Sequence, residues 1–333
     1  GVPTARSFDW GRIFHVTDPN LIRQLPDALT MLAVACGLAL PVSLAPSLAS
    51  ALQRPWLPNA GTAAGGVALL ASVVLAANND AAWLVWIGVI VTLPVIINAG
   101  IGIYLLRDLG WSLRSPGTEP VRWPPGLGKL SFWFFIPQAG AQFAQTVPPM
   151  AIALLVGPEA VAGFNLLQRL FGLIGQVHWM VVAAWWPAYA EAKARRDYSW
   201  IKSSHQRSWW VTLGIFVPGT IAAALLTPWL IQFWVGTTAI QPATTLIWLM
   251  AAWQIFQVIG QPPALLLNGL GQIKGVAIYS TIGHLLSLTA LAWLGRSWGA
   301  EGIVAGMMLG YVLVGLPCVL IDSLTHLRKL GRE

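Results

Sequence analysis

Arg169 stands inside the apolar run 161–186, which is long enough to cross a hydrocarbon core of roughly 30 Å, and no reasonable boundary moves it out. A charge at that depth costs at least roughly 2.5–3.5 kcal/mol, and such residues face a partner or a wet cavity. No acidic residue occupies the middle of any apolar run: Asp27 and Asp322 fall at ends and Glu159 in a connection. The spacing therefore offers Arg169 no intramembrane ion pair and favours an anionic ligand. A planar fork of donors suits phosphate or carboxylate. The rival expectation is a structural arginine bonded to carbonyls at a helix break.

Amides surround this cation at helical spacing. Gln138, Gln142 and Gln145 recur at i, i+4, i+7, within about 60° of one another on a helix. Asn165, Arg169 and Gln176 fall within about 40°, with Gln168 at the flank. Gln254, Gln257 and Gln261 share a third face. Single amides in membrane helices ordinarily bond to a neighbouring helix, at about 0.6 kcal/mol each. Three matching stripes in one half of a chain predict more: one water-accessible cavity between two lobes. His284, beside Ser280, Thr281 and Ser287, could face that cavity or carry a proton, whereas His178 points about 140° away from Asn165 and reads as a packing residue. No His/Cys/Asp/Glu cluster has metal-ligand spacing, and neither a P-loop nor a nucleophile motif occurs.

The elements that must position these residues are membrane helices. The 333-residue chain is 9% charged and 56% hydrophobic, with mean hydropathy +0.67, against about 25% charged residues in soluble domains. Such a chain is all-α and polytopic, with the bilayer as its solvent. Apolar spans fall at 28–52, 61–77, 82–105, 130–155, 161–186, 208–227, 241–267, 275–294 and 300–321. The proline-rich stretch 107–129 reads as a linker between a partial N-terminal lobe (1–106) and a second lobe (130–324), with a tail at 325–333. The two cysteines, Cys36 and Cys318, lie in apolar runs and imply packing rather than a disulfide. The start, with Gly rather than Met on a polar stretch, suggests an N-terminally incomplete chain.

Charge tests the spans. If each one crosses, the Lys and Arg near 54, 107–129, 193–207, 274 and 328–332 share one side, and only Arg6, Arg12, Arg23 and Arg296 lie opposite. Cytoplasmic loops carry the excess, so the C-terminus is expected to be cytoplasmic, and a pI near 9.9 needs no nucleic acid. Many of the nineteen tryptophans fall near span ends, as in interfacial belts. The segment 228–240, with Trp229, Phe233 and Trp234, reads as lying along the outer interface. Internal prolines (Pro94, Pro137, Pro148, Pro149, Pro262 and Pro263 among them) suit a transporter better than a rigid anchor.

In order, WGRIF (Trp10–Phe14), ALQRP (Ala51–Pro55), FNLLQRLFGLI (Phe164–Ile174), WWPAYAEAKARRD (Trp185–Asp197) and LLLNGLGQIKG (Leu265–Gly275) carry a family resemblance. The chain resembles the polysaccharide-transport branch of the multidrug/oligosaccharidyl-lipid/polysaccharide exporters, the O-antigen and exopolysaccharide flippases. The resemblance implies a twelve-helix, two-lobe molecule, of which the nine spans look like helices 4–12. It implies a bacterial inner-membrane protein that is not an enzyme. Its substrate would be an undecaprenyl-diphosphate-linked oligosaccharide, moved by alternating access for lipopolysaccharide or exopolysaccharide assembly. No cofactor is implied, and H+ or Na+ coupling stays open. Partners would be the bilayer and the polymerase and glycosyltransferases of the pathway. Two alternatives remain: a multidrug exporter of the same superfamily, and an integral-membrane glycosyltransferase or O-antigen ligase. An unpaired arginine disfavours cationic drugs. Short outer loops with only Asp80, Glu159 and Glu301 disfavour an acid–base enzyme.

Overall fold

A computed structural model describes residues 19–52, 54, 56–78, 83–110, 125–236 and 241–330. The WGRIF motif, Arg6, Arg12, Arg114, Arg122, Arg332, Asp80 and most of the expected linker lie outside these residues. Every regular element among them is helical. The chain divides into two compact units, Gly1–Val121 and Arg122–Glu333.

The first unit holds α1 (Pro19–Val42), α2 (Leu44–Ala51), α3 (Trp56–Asn78) and α4 (Trp83–Asp108). The expected span 28–52 is thus two helices meeting at Ser43, whose hydroxyl donates to the Leu40 carbonyl. α4 packs against the other three. On α3, Gly61 and Gly65 leave room for Ile97 and Ile101 of α4, since a Cβ at either glycine would come within 2.9 Å of an isoleucine methyl. Arg54 Nη1 donates to Asp108 Oδ2 at 2.5 Å, tying the α2–α3 connection to the end of α4. Cys36 is exposed on α1 rather than packed, and both cysteines are free thiols.

The second unit contains α5 (Leu127–Leu155), α6 (Pro158–Val182), α7 (Trp185–Ala194), α8 (Tyr198–Val211), α9 (Val217–Val235), α10 (Thr244–Gly269), α11 (Ile273–Gly310) and α12 (Leu316–Lys329). π-helical turns, Thr212–Phe216 and Tyr311–Gly315, join α8 to α9 and α11 to α12. α11 is broken at Gly299 (φ 62°, ψ −137°), a backbone conformation open to glycine, so its two arms run as separate helices. The break falls in the gap between the expected spans 275–294 and 300–321. A core of Ile152, Phe164, Leu167, Phe171, Ile303 and Val304, all buried, joins α5, α6 and the second arm of α11.

Among the described residues, six stretches are long and apolar enough to cross a membrane: Arg23–Ala49, Trp56–Leu75, Val85–Asp108, Glu159–Ala194, Tyr198–Trp234 and Ile273–Lys329. The last includes both arms of α11. α5 and α10 are not among the six. Each carries three glutamines, but at 29 and 26 residues both exceed about 20, the length a bilayer core requires.

Three expectations need correction. The expected span 161–186 is interrupted before its end, at Ala183–Ala184, and Pro187 sits in the first turn of α7, where its missing N–H costs nothing. The basic stretch 193–207 is not a loop. Ile201, Ser204, His205 and Ser208 are buried at helical spacing, so the segment folds as α8 and turns its cations outward. Asp197 caps it, accepting from the Trp200 amide at 3.0 Å and the Ser199 hydroxyl at 2.8 Å. These bonds hold its carboxyl below the usual aspartate range, the amide first. The cap's contribution is therefore present above the unfolded aspartate pKa and lost as pH falls through the lowered folded value. The connection shrinks to Arg195–Asp197, with Arg196 in the left-handed region (φ 59°). Finally, 228–235 does not lie flat. Pro228 is inside α9, which runs on to Val235, and 237–240 fall outside the described residues. Membrane helices tolerate such prolines when neighbours satisfy the freed backbone.

Candidate functional site

α5 and α6 form an antiparallel hairpin through Val156–Gly157, and their polar stripes meet. Gln168 Nε2 donates to Gln145 Oε1 at 3.0 Å. From that bond the antiparallel register carries Gln138 of α5 and Gln176 of α6 to similar height, about 11 Å away along the hairpin. Gln138, Gln142, Gln145 and Gln176 are exposed, and Asn165 and Gln168 half-buried. Arg169 is exposed and makes no hydrogen bond or ion pair with any described residue. α6 runs unbroken past it, so among the described residues no helix break supplies the carbonyls that a structural arginine would use.

The α10 glutamines are placed differently. Gln254 is buried with its amide against Gly175 of α6, where a Cβ would come 2.6 Å from Nε2. Gln261 Oε1 lies 2.7 Å from Nδ1 of His178, whose Nε2 is 2.8 Å from the Thr212 hydroxyl. His178 is fully buried and stacks edge-on against Phe216. Thr212 itself donates to the Ser208 carbonyl at 2.8 Å. Since His178 sits about 180° around α6 from Arg169, this buried clamp is on the far side of the helix from the cation. Gln257 is half-buried on α10. The stripes therefore separate: α5 and α6 present an open polar face, while Gln254 and Gln261 bond or seat within the unit.

His284 belongs to neither group. Its ring lies against Gly140 of α5, whose Cβ direction is about 160° from that of Gln138. There it borders a cavity of about 100 Å³ walled by Tyr279, Tyr311, Trp253, Ser280 and Phe143. Sequence reasoning missed the clamp at His178 because its partners are 34 and 83 residues away. Replacing His178 with alanine takes the ring partner from Gln261 and leaves the Thr212 hydroxyl with only the Ser208 carbonyl, and a group orphaned in such a place costs roughly 1–3 kcal/mol. A lowered thermal midpoint in detergent, at unchanged activity per folded molecule, is the expected outcome.

Chemically, the open face offers one guanidinium and several amides along two helices, with no acid beside them among the described residues. Such a surface can hold an anion and hydrogen-bond a hydroxylated chain, and it has no nucleophile or proton-transfer pair. No curated protein and no solved structure matches the chain. A family model, MatE, matches residues 137–294, somewhat under half of the chain. The segment carrying Arg169 and all three amide stripes is thus similar to the MatE family, whose members are membrane transporters of the multidrug/oligosaccharidyl-lipid/polysaccharide exporter superfamily.

Proposed function

We propose that this protein is a flippase for a lipid-linked oligosaccharide, an undecaprenyl-diphosphate sugar, which it moves across a bacterial cytoplasmic membrane by alternating access for surface polysaccharide assembly. The observation that carries this reading is Arg169: an exposed cation inside an apolar span, flanked by the bonded Gln145–Gln168 pair and without an acidic partner among the described residues. Facing lipid, it would cost several kcal/mol; facing a hydrated path, it is ready for a diphosphate or an acidic sugar. Asn165, Gln138, Gln142, Gln145, Gln168 and Gln176 would hydrogen-bond the glycan as it passes. Gln254, Gln257, Gln261 and His284 take supporting places in this scheme, holding the helices that carry the path. Ion coupling would have to act elsewhere or through the substrate's own charge.

A multidrug exporter of the same superfamily is the second reading. The cationic face disfavours it, because an unpaired arginine repels the amphipathic cations such exporters carry. Purified protein in vesicles loaded with a fluorescent undecaprenyl-diphosphate oligosaccharide decides between them. Protein-dependent appearance of the sugar on the far leaflet, with no transfer of sugar to an acceptor, supports the flippase. Efflux of a cationic dye without lipid translocation would select the exporter.

Orientation supplies a separate test. The basic residues of α7 and α8 should face the cytoplasm, under the excess rule for Lys and Arg. Ser203 is exposed on α8, so a cysteine there will be reachable from its own side. Ser203→Cys should resist an impermeant thiol reagent in intact cells and react in inverted vesicles. Labelling in intact cells would reverse the orientation.

A further inference from the structure

α8 and α9 form one rod that shows where the hydrocarbon begins. Its exposed side is apolar from Trp210 through Leu213, Ile215, Ile221, Leu225 and Trp229. Trp210 and Trp229 are both exposed and 19 residues apart, about 28 Å along a helix, close to the roughly 30 Å of a bilayer core. Tryptophans gather at membrane–water interfaces, and Trp210 marks the basic end of this apolar side, which at the other end continues past Trp229 to Phe233 and Trp234. Beyond Trp210 the exposed side changes abruptly to Arg207, Gln206, Ser203, Lys202 and Ser199. Arg207 stands about 4.5 Å outside Trp210 and Lys202 about 12 Å, bracketing the depth of the headgroup layer.

The acids nearby are already engaged. Glu191 accepts from Arg195, Asp197 caps α8, and Asp322 pairs with His326 at 3.1 Å. Lys193 is also committed, donating to the Leu270 carbonyl at the end of α10 at 2.7 Å. Arg207 and Lys202 have no acidic partner among the described residues. The hydrophobic cluster of Tyr189, Ile201 and Leu266 beneath them, with Leu327 of α12 packed on it, holds α7 and α8 as a firm platform.

We propose that the exposed face of α8 bounded by Lys202 and Arg207, about 140° apart around the helix with Trp210 between them, is a binding site for the phosphate of an anionic phospholipid, the indole resting at the acyl boundary and the cations reaching the headgroup from either side. This site continues a lipid-exposed face of the same rod, which places a lipid rather than another molecule against it. An acidic protein partner is the less favoured occupant. Outward of Trp210 the exposed side carries no aromatic or aliphatic anchor of the kind that dominates protein interfaces. The site is separate from Arg169 and stands whether or not the transport proposal does.

Native mass spectrometry of the detergent-purified 333-residue chain, titrated with phosphatidylglycerol or phosphatidylcholine of matched acyl chains, provides the test. The wild type should retain phosphatidylglycerol several-fold more than phosphatidylcholine. Lys202→Gln with Arg207→Gln should abolish most of that preference, and Lys202→Arg with Arg207→Lys should keep it. Both positions are exposed, so folding is expected to survive, and the thermal midpoint checks it. Arg296→Gln, at an exposed cation on the first arm of α11, should leave the preference unchanged. Equal retention of the two lipids by the wild type, an undiminished preference in the double glutamine variant, or a loss equal to it in Arg296→Gln would overturn the assignment. So would a stoichiometric acidic protein that binds the wild type and not the glutamine variant.

Discussion

Arg169→Ala is expected to lose most of the translocation of a lipid-linked oligosaccharide while the protein folds and inserts normally. Hydrogen bonds to charged groups contribute about 1.5–3 kcal/mol, so the expected loss is roughly ten- to a hundredfold in rate per folded molecule. Arg169→Lys keeps the charge and loses the bidentate fork, and should retain part of the activity. Folding should survive because the side chain is exposed and bonds to no described residue, so truncation opens no cavity and orphans no partner. Translocation is to be measured in vesicles and divided by the amount of monodisperse protein. If Arg169→Ala accumulates at normal levels and translocates at the wild-type rate, the guanidinium does not bind the substrate. Lower abundance with unaltered specific activity would instead make Arg169 structural.

How much of this was legible in the sequence depends on distance along the chain. The stripes on α5 and α6 come from residues three to eleven apart on single helices, and periodicity alone places each on one face. Which neighbour each stripe meets is a long-range fact. The Gln145–Gln168 bond joins two legible stripes, whereas the seating of Gln254 on Gly175 turns a third, equally regular stripe inward. Nothing in the spacing of Gln254, Gln257 and Gln261 differs from that of Gln138, Gln142 and Gln145. The difference comes from what packs on the helix. The basic stretch 193–207 misled for a physical reason: its cations dominate the composition, while the buried positions that make it helical are serines, a histidine and a single isoleucine. Hydropathy does not register a face built that way. Proline is no surer a guide, since Pro187 sits in a first turn and Pro228 inside a membrane helix.

A glycine pattern on the second arm of α11 was legible and its meaning was not. Gly302, Gly306 and Gly310 recur every fourth residue and so line one face, the spacing that lets membrane helices approach backbone to backbone. That face lies on the first arm. A Cβ at Gly302 would fall 2.1 Å from the Leu294 carbonyl oxygen, at Gly306 2.3 Å from the Leu291 backbone, and at Gly310 2.1 Å from the Gly283 carbonyl oxygen. These obstacles are main chain, so no side-chain rotation relieves them. Ser287 fastens the same contact by donating to the Met307 carbonyl at 2.8 Å.

Gly306→Val should therefore be among the most damaging substitutions outside the polar face. Overpacking a tight contact costs about 1–3 kcal/mol and occasionally more, and here the two arms must separate before valine fits. Separation would also strip partners from Ile303, Val304 and Leu291, which are buried in the shared core. The expected result is a lowered thermal midpoint and a reduced monodisperse yield from detergent extracts, with normal translocation by whatever folded protein remains. Gly172→Ala is the matched control, since a Cβ there meets nothing within 4 Å and alanine favours the helix by up to about 1 kcal/mol. If Gly306→Val were as stable as Gly172→Ala, the two arms could not be packed backbone to backbone at Leu291.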